Sequence, residues 1–170
     1  EATKTWEPAR REGLVLNTEH IVTLYNTNNL AAGIAAAERL LARQKTRYGE
    51  QHVDTALTRG LLGIGFARAN RDADALREFK LAVPILMARS RETDDDDPTT
   101  SAAREQRAQV VVESYVALLS RMGSAAGIDA ANESFRLIDT IRGRSVQRAL
   151  TASSARSTAE ATPPNRATSR

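Results

Sequence analysis

The chain has no cysteine, so disulfides, cysteine-ligated zinc and a cysteine nucleophile are all excluded from its own chemistry. Aromatic residues make up only 4% of it. β-rich folds lean on aromatic and β-branched side chains, and an alanine-rich chain poor in aromatics points to helices instead. No run of about 18 apolar residues exists that could span a bilayer as a helix, and no signal-peptide pattern is present. There are two histidines, His20 and His52, with no second metal ligand or nucleophile spaced to either. Gly63-Ile64-Gly65 lacks the third glycine of a phosphate-binding loop and falls inside a helical pattern. An enzyme is therefore the least favoured reading, and no residue is assigned as catalytic, cofactor-binding or metal-binding.

What is present fits one helical domain. The chain has 170 residues, 41% of them hydrophobic, enough for a core of Leu, Ala, Ile and Val. The net charge is +3 and its excess is uneven: residues 142–170 carry six arginines and one acid, Glu160. The bland reading of that end is a solvated tail, and residues 156–170 read as a disordered basic tail because they hold almost no large apolar residue. The functional reading is a site for nucleic acid or another polyanion, which aromatic interleaving and a recognition-helix pattern would strengthen. Both are lacking, so nucleic acid is the alternative partner rather than the leading one.

Apolar spacing predicts helices over about Ala9–Thr27, Leu30–Tyr48, Val53–Ala69, Asp72–Ser90, Ser101–Met122 and Ile128–Ile141. A short seventh helix is expected over Ser145–Ala155. Asn26-Thr27-Asn28-Asn29 reads as a turn, Gly49 as a helix end needing a positive φ, and Asp54 or Thr55 as the next cap. Pro84 should bend the fourth helix without ending it. Four aspartates, Asp94 to Asp97, lack the alternation, glycine and closing glutamate of a calcium loop. They read as a solvated loop before a helix capped by Thr99, Thr100 or Ser101, with Pro98 blocking an earlier start. The fifth helix should bury Val110, Val111, Tyr115, Leu118 and Leu119.

Leu62-Gly63, Phe66, Ala75, Phe79 and Ala82 stand at offsets that resemble the tetratricopeptide repeat. Gly63 and Ala75 would let two helices approach closely, with Phe66 and Phe79 filling the volume beside them. Arg59 stands where that family usually has Trp, and its closing Pro is missing. Gly33, Ala37 and Leu40 precede Ala75, Phe79 and Ala82 by 42 residues, and Ala131, Phe135 and Ile138 follow them by 56. The longer first offset comes from Gly49-Glu50-Gln51-His52-Val53-Asp54-Thr55-Ala56, which resembles the connection of kinesin-light-chain-type repeats. There His52 would pack into the loop. The resemblance implies an all-α helix-turn-helix repeat solenoid over residues 1–155, with about three repeats (9–48, 53–90 and 101–142), six to seven helices, and a capping helix over 145–155.

In such a solenoid the first helix of each pair lines a concave groove. The resemblance implies groove positions at Val22, Tyr25, Asn26, Gly60, Ile64, Arg68, Glu113, Ala117 and Arg121, whose occupant would be a protein or peptide. The exposed terminal face of a short array would also suit a homodimer. Glu133-Ser134-Phe135-Arg136-Leu137 and Arg142-Gly143-Arg144-Ser145-Val146-Gln147-Arg148-Ala149-Leu150 resemble a second pattern. It is the junction in bacterial proteins whose repeats precede a CHAT domain, a caspase-like peptidase module. That implies a non-catalytic, regulatory N-terminal part of a larger bacterial protein, any peptidase activity residing in a C-terminal module. The bacterial assignment favours the cytoplasm, and because the chain opens at Glu1 rather than Met, removal of a leader would instead give an exported form.

Overall fold

The computed structural model describes residues 16–89, 98–126 and 132–139. Every regular element among them is helical. They are α1 (Thr18–Asn26), α2 (Leu30–Tyr48), α3 (Val53–Arg68), α4 (Asp72–Arg89) and α5 (Pro98–Met122), followed by a 3₁₀ turn at Gly123–Ala126. Residues 132–139 are also helical. The capping helix and the basic tail expected over 145–155 and 156–170 lie outside the described residues.

Each helix packs on the next in the chain, and α3 also packs on α5. Their shared core includes Ile21, Ala37, Leu62, Phe66, Phe79, Val111 and Leu119. The turns α1–α2 and α3–α4 have the same backbone pattern 42 residues apart. Asn28 and Asn70 both take a positive φ, 59° and 57°. Asparagine tolerates that conformation better than most residues. Asn28 donates its N–H to the Tyr25 carbonyl and Asn29 to that of Leu24, as Asn70 does to Ala67 and Arg71 to Phe66. These bonds satisfy carbonyls left open at the helix ends and turn the chain back on itself.

Glycine sets how closely the helices approach. A Cβ at Gly63 would stand 3.0 Å from the Phe79 ring, as the repeat spacing anticipates. At Gly60 it would stand 2.5 Å from a methyl of Val111 on α5. Alanine is favoured over glycine inside a helix by about 1 kcal/mol, but forcing a methyl into a packed interface costs about 1–3 kcal/mol. Val111 is buried and β-branched, so it has few alternative rotamers. Gly60→Ala is therefore expected to lower stability to urea, and adding Val111→Ala to recover part of the loss. Equal or greater stability of the single variant would show that α3 and α5 are not held apart by this contact.

Several local expectations are corrected. The first helix does not run continuously from Ala9: Asn17 is extended and caps α1, its Oδ1 accepting from the His20 N–H at 2.7 Å. The cap of α3 is His52, not Asp54 or Thr55; its Nδ1 accepts from the Asp54 N–H at 3.2 Å. Pro98 begins α5 instead of blocking it, so the helix starts ahead of Thr99, Thr100 and Ser101. A proline in the first turn lacks only an N–H that has no helical partner there. Through Pro84, α4 continues to Arg89. Pro84 and Lys80 are both exposed, so water can serve the carbonyl that proline leaves free. Val110, expected in the core, is 45% exposed.

The largest correction concerns the third repeat. Phe79 and Ala82 are fully buried, but Phe135, placed by spacing as the counterpart of Phe79, is 72% exposed, and Ile138 is 37% exposed. Helix 132–139 instead turns Leu137 inward. Glu133, one turn earlier, accepts a 2.8 Å hydrogen bond from the Tyr115 hydroxyl. Satisfying that hydroxyl, which sits on a buried ring, orients the helix by a different face from the one its apolar spacing suggests.

Candidate functional site

A groove of about 730 Å³ lies between α1, α3 and α5, with Gln44 of α2 also on its wall. Its apolar surface comes from Val22 on α1, Leu57, Leu61 and Ile64 on α3, and Val110 and Val111 on α5. The helices deliver these residues by ordinary periodicity. Leu57, Leu61 and Ile64 fall at spacings of four and three on one face of α3. The same face of α5 supplies Gln106, Arg107 and Val110.

Two ion pairs join the groove walls. Arg107 Nη2 of α5 reaches Glu19 Oε1 of α1 at 2.8 Å, linking residues 88 apart in sequence. Arg104 Nε of α5 stands 3.3 Å from Asp54 Oδ1 at the start of α3. Each is partly exposed, so its contribution to stability is small. Their consequence for recognition is that two positive and two negative side chains cancel along this wall. What the groove offers is an apolar surface with hydroxyls from Thr18, Thr23 and Thr58 beside it. Such a surface suits uncharged or apolar side chains presented by a segment of chain.

The nine residues expected to line a groove divide. Val22, 38% exposed, and Ile64, half-buried, both line it. Asn26, Arg68, Glu113 and Ala117 are exposed but do not line this groove. Arg121 is engaged with the Asp72 carboxylate and the Ala67 carbonyl, where it ties the α3–α4 turn to α5. Gly60 is buried against Val111, so it shapes the wall from behind. Tyr25 belongs to the core: it is 4% exposed, with its ring lying where Cβ atoms at Gly33 and Gly65 would otherwise stand. Leu61 and Val110 were missed as groove residues. Leu61 could have been found, since it lies one turn before Ile64. No sequence signal marks the Glu19–Arg107 pair.

Tyr25 carries an electrostatic peculiarity. Its hydroxyl is buried without a hydrogen-bond partner. Burial pushes the phenol well above its ordinary range, Arg68 opposes that and Glu38 adds to it. Tyr115 is raised likewise, by burial and by its bond to Glu133. Both phenols must stay neutral in the fold. Stability from these two groups is full below the unfolded phenol pKa of about 10 and is lost as pH rises through the higher folded values. Helicity followed by circular dichroism is expected to fall as pH is raised above about 10. Tyr25→Phe removes one such group together with its unpartnered hydroxyl, so it should raise stability at neutral pH by about 1 kcal/mol and delay the loss in base. A destabilised Tyr25→Phe would mean that the hydroxyl has a partner in solution.

Among the described residues no group of three or more His, Asp or Glu side chains is placed to hold a metal ion. No helix among them is long and apolar enough to cross a membrane. The chain matches no known protein family, no curated protein and no solved structure.

Proposed function

We propose that this chain is a non-catalytic protein-interaction module that holds a segment of a partner protein in the groove between α1, α3 and α5. The observation that carries the reading is the groove's composition: an open apolar surface whose charged neighbours are paired with each other. A water-exposed apolar groove of this kind favours burial of apolar side chains, at about 25 cal/mol for each Å² removed from water. The repeat reading is proposed with it. The identical turns at Asn28 and Asn70, and the close approaches at Gly63 and Gly33, support a tetratricopeptide-like solenoid in which the first helices of the pairs face the ligand. The resemblance of residues 133–150 to the junction of CHAT-type proteins supports a place in the N-terminal, regulatory part of such a bacterial protein. Sequencing the source gene beyond the codon for Arg170 tests that placement.

The groove is tested by selecting peptides from a random library on the full chain and measuring them against Val22→Asp and Val110→Asp. Both side chains are exposed, so the variants should fold. Selected peptides should carry clustered apolar residues and bind each variant at least about tenfold more weakly, since a desolvated aspartate opposite an apolar side chain costs more than about 1.4 kcal/mol. Peptides that bind wild type and both variants alike would overturn the assignment.

A further inference from the structure

We infer that the outward ridge of α2 is a binding surface for the phosphate backbone of single-stranded nucleic acid. Arg39, Arg43 and Arg47 recur at every fourth residue of α2 and all three are exposed. Successive members are about 6 Å apart along the helix axis and turned by about 40°, so they form one continuous ridge. Like charges at this spacing repel one another. Among the described residues no acidic side chain stands in ion-pair range of any of the three; Arg39 Nε donates to the Ala35 carbonyl of its own helix at 3.3 Å, which leaves its charge uncompensated. Glu50 and Asp54 are engaged elsewhere. Glu50 is 3.1 Å from Lys45 and 3.6 Å from Arg59, and Asp54 is paired with Arg104. Glu38 is exposed and stands about 100° around the helix from Arg39, off the line of the ridge. The ridge therefore presents three cations without counter-charge, and its complement is a run of anions at similar pitch.

The neighbouring side chains choose among polyanions. All three cations are arginines, whose planar forks fit phosphate oxygens two at a time. The residues beside them are Ala35, Ala42 and Thr46, too small to serve as the bulky apolar anchors of a membrane-surface helix. At the end of the ridge Tyr48 is 44% exposed. Its ring stacks on His52 with centroids 4.7 Å apart, and the Arg47 guanidinium lies 5.0 Å from its centre. An exposed stack of this sort, next to a basic track, is what unpaired bases lie against. None of these five residues lines the groove, so the surface does not depend on the peptide-binding reading.

The test is fluorescence anisotropy of a labelled oligothymidylate of about 16 nucleotides with the full chain at low salt. Binding is expected to weaken with added salt, with a log–log slope near −2 for three phosphate contacts. Arg39→Ala/Arg43→Ala/Arg47→Ala should weaken it at least about tenfold and flatten the slope. Tyr48→Ala should weaken it about tenfold and leave the slope unchanged, since stacking releases no counterion. Replacing the six arginines of residues 142–170 by alanine in the full chain should leave the ridge's contribution intact. No binding at low salt would overturn the proposal. So would binding that survives the triple variant and disappears with the tail variant. Triple-variant-sensitive binding to phosphatidylserine vesicles, with none to the oligonucleotide, would also overturn it and assign the ridge to a lipid surface.

Discussion

Replacing Glu78 with alanine is expected to destabilise the chain by about 3–5 kcal/mol, as much as deleting a core side chain. Glu78 and Arg59 are 8% and 4% exposed, and Arg59 Nη1 stands 3.4 Å from Glu78 Oε2 across the α3–α4 interface. Without Glu78 the guanidinium is left buried, its Nε already without a partner. Its remaining acid is Glu50 at 3.6 Å, whose side chain is 62% exposed. The pair is part of an alternating series that runs from Lys45 through Glu50, Arg59, Glu78, Arg77 and Asp74 to Arg71, joining the end of α2 to α3 and α4. Within it, the hydrogen bond and charge of Lys45 hold the Glu50 carboxyl below the usual carboxylate range. Most of these links are exposed and contribute little; the buried one is different because desolvation cannot be recovered by water. The companion variant decides the cause. Arg59→Met with Glu78→Leu removes both charges and fills the space, and should return stability to within about 1 kcal/mol of the parent in urea titrations. A double variant as unstable as Glu78→Ala would mean that shape at this interface, and not the unpaired charge, sets the loss.

Phe79→Ala should cost a similar amount, about 3–5 kcal/mol, whereas Phe135→Ala should change stability by less than about 0.5 kcal/mol. The two phenylalanines occupy equivalent positions by spacing, and only their surroundings separate them. Phe79 is fully buried, lies against the bare face of Gly63 and meets the Tyr115 ring at a centroid distance of 5.4 Å. Its loss would leave a cavity at the meeting of α3, α4 and α5, lined by side chains that cannot all move inward together. Phe135 is mostly in water already. Urea unfolding of both single variants measures the contrast. Equal losses would restore Phe135 to the core and reinstate the third repeat in the register that its spacing suggests.

Among the described residues most helix limits were legible because they depend on local chemistry. Leu30–Tyr48 coincides with its expected span, and α3 and α4 each end within a residue of theirs. The close approach at Gly63 was legible too, since a small residue facing a large one at fixed offsets leaves a trace in spacing. Caps were harder. Asn17 competes with Thr18, and His52 caps its helix ahead of Asp54 and Thr55, which are stronger capping residues; the winner depends on where the chain enters the helix.

Only a small part of the groove was legible, two of its nine expected positions. Val22 and Ile64 could be placed by helix periodicity, but Tyr25 lies close enough to the same face that only the space opened by Gly33 and Gly65 draws its ring into the core. Arg59 illustrates the same limit. An arginine in sequence reads as exposed, and nothing local reveals a glutamate 19 residues later that accompanies it into the interior. By itself, then, the sequence determined that the described residues are helical, where the turns between α1 and α4 fall, and that one pair of helices closes tightly over glycine. Tertiary structure alone decided which apolar residues stay in water, which charges are buried together, and how helix 132–139 faces the rest. The physical reason is range: propensity and capping act within a turn or two of helix, whereas burial and ion pairing depend on surfaces brought together from distant parts of the chain.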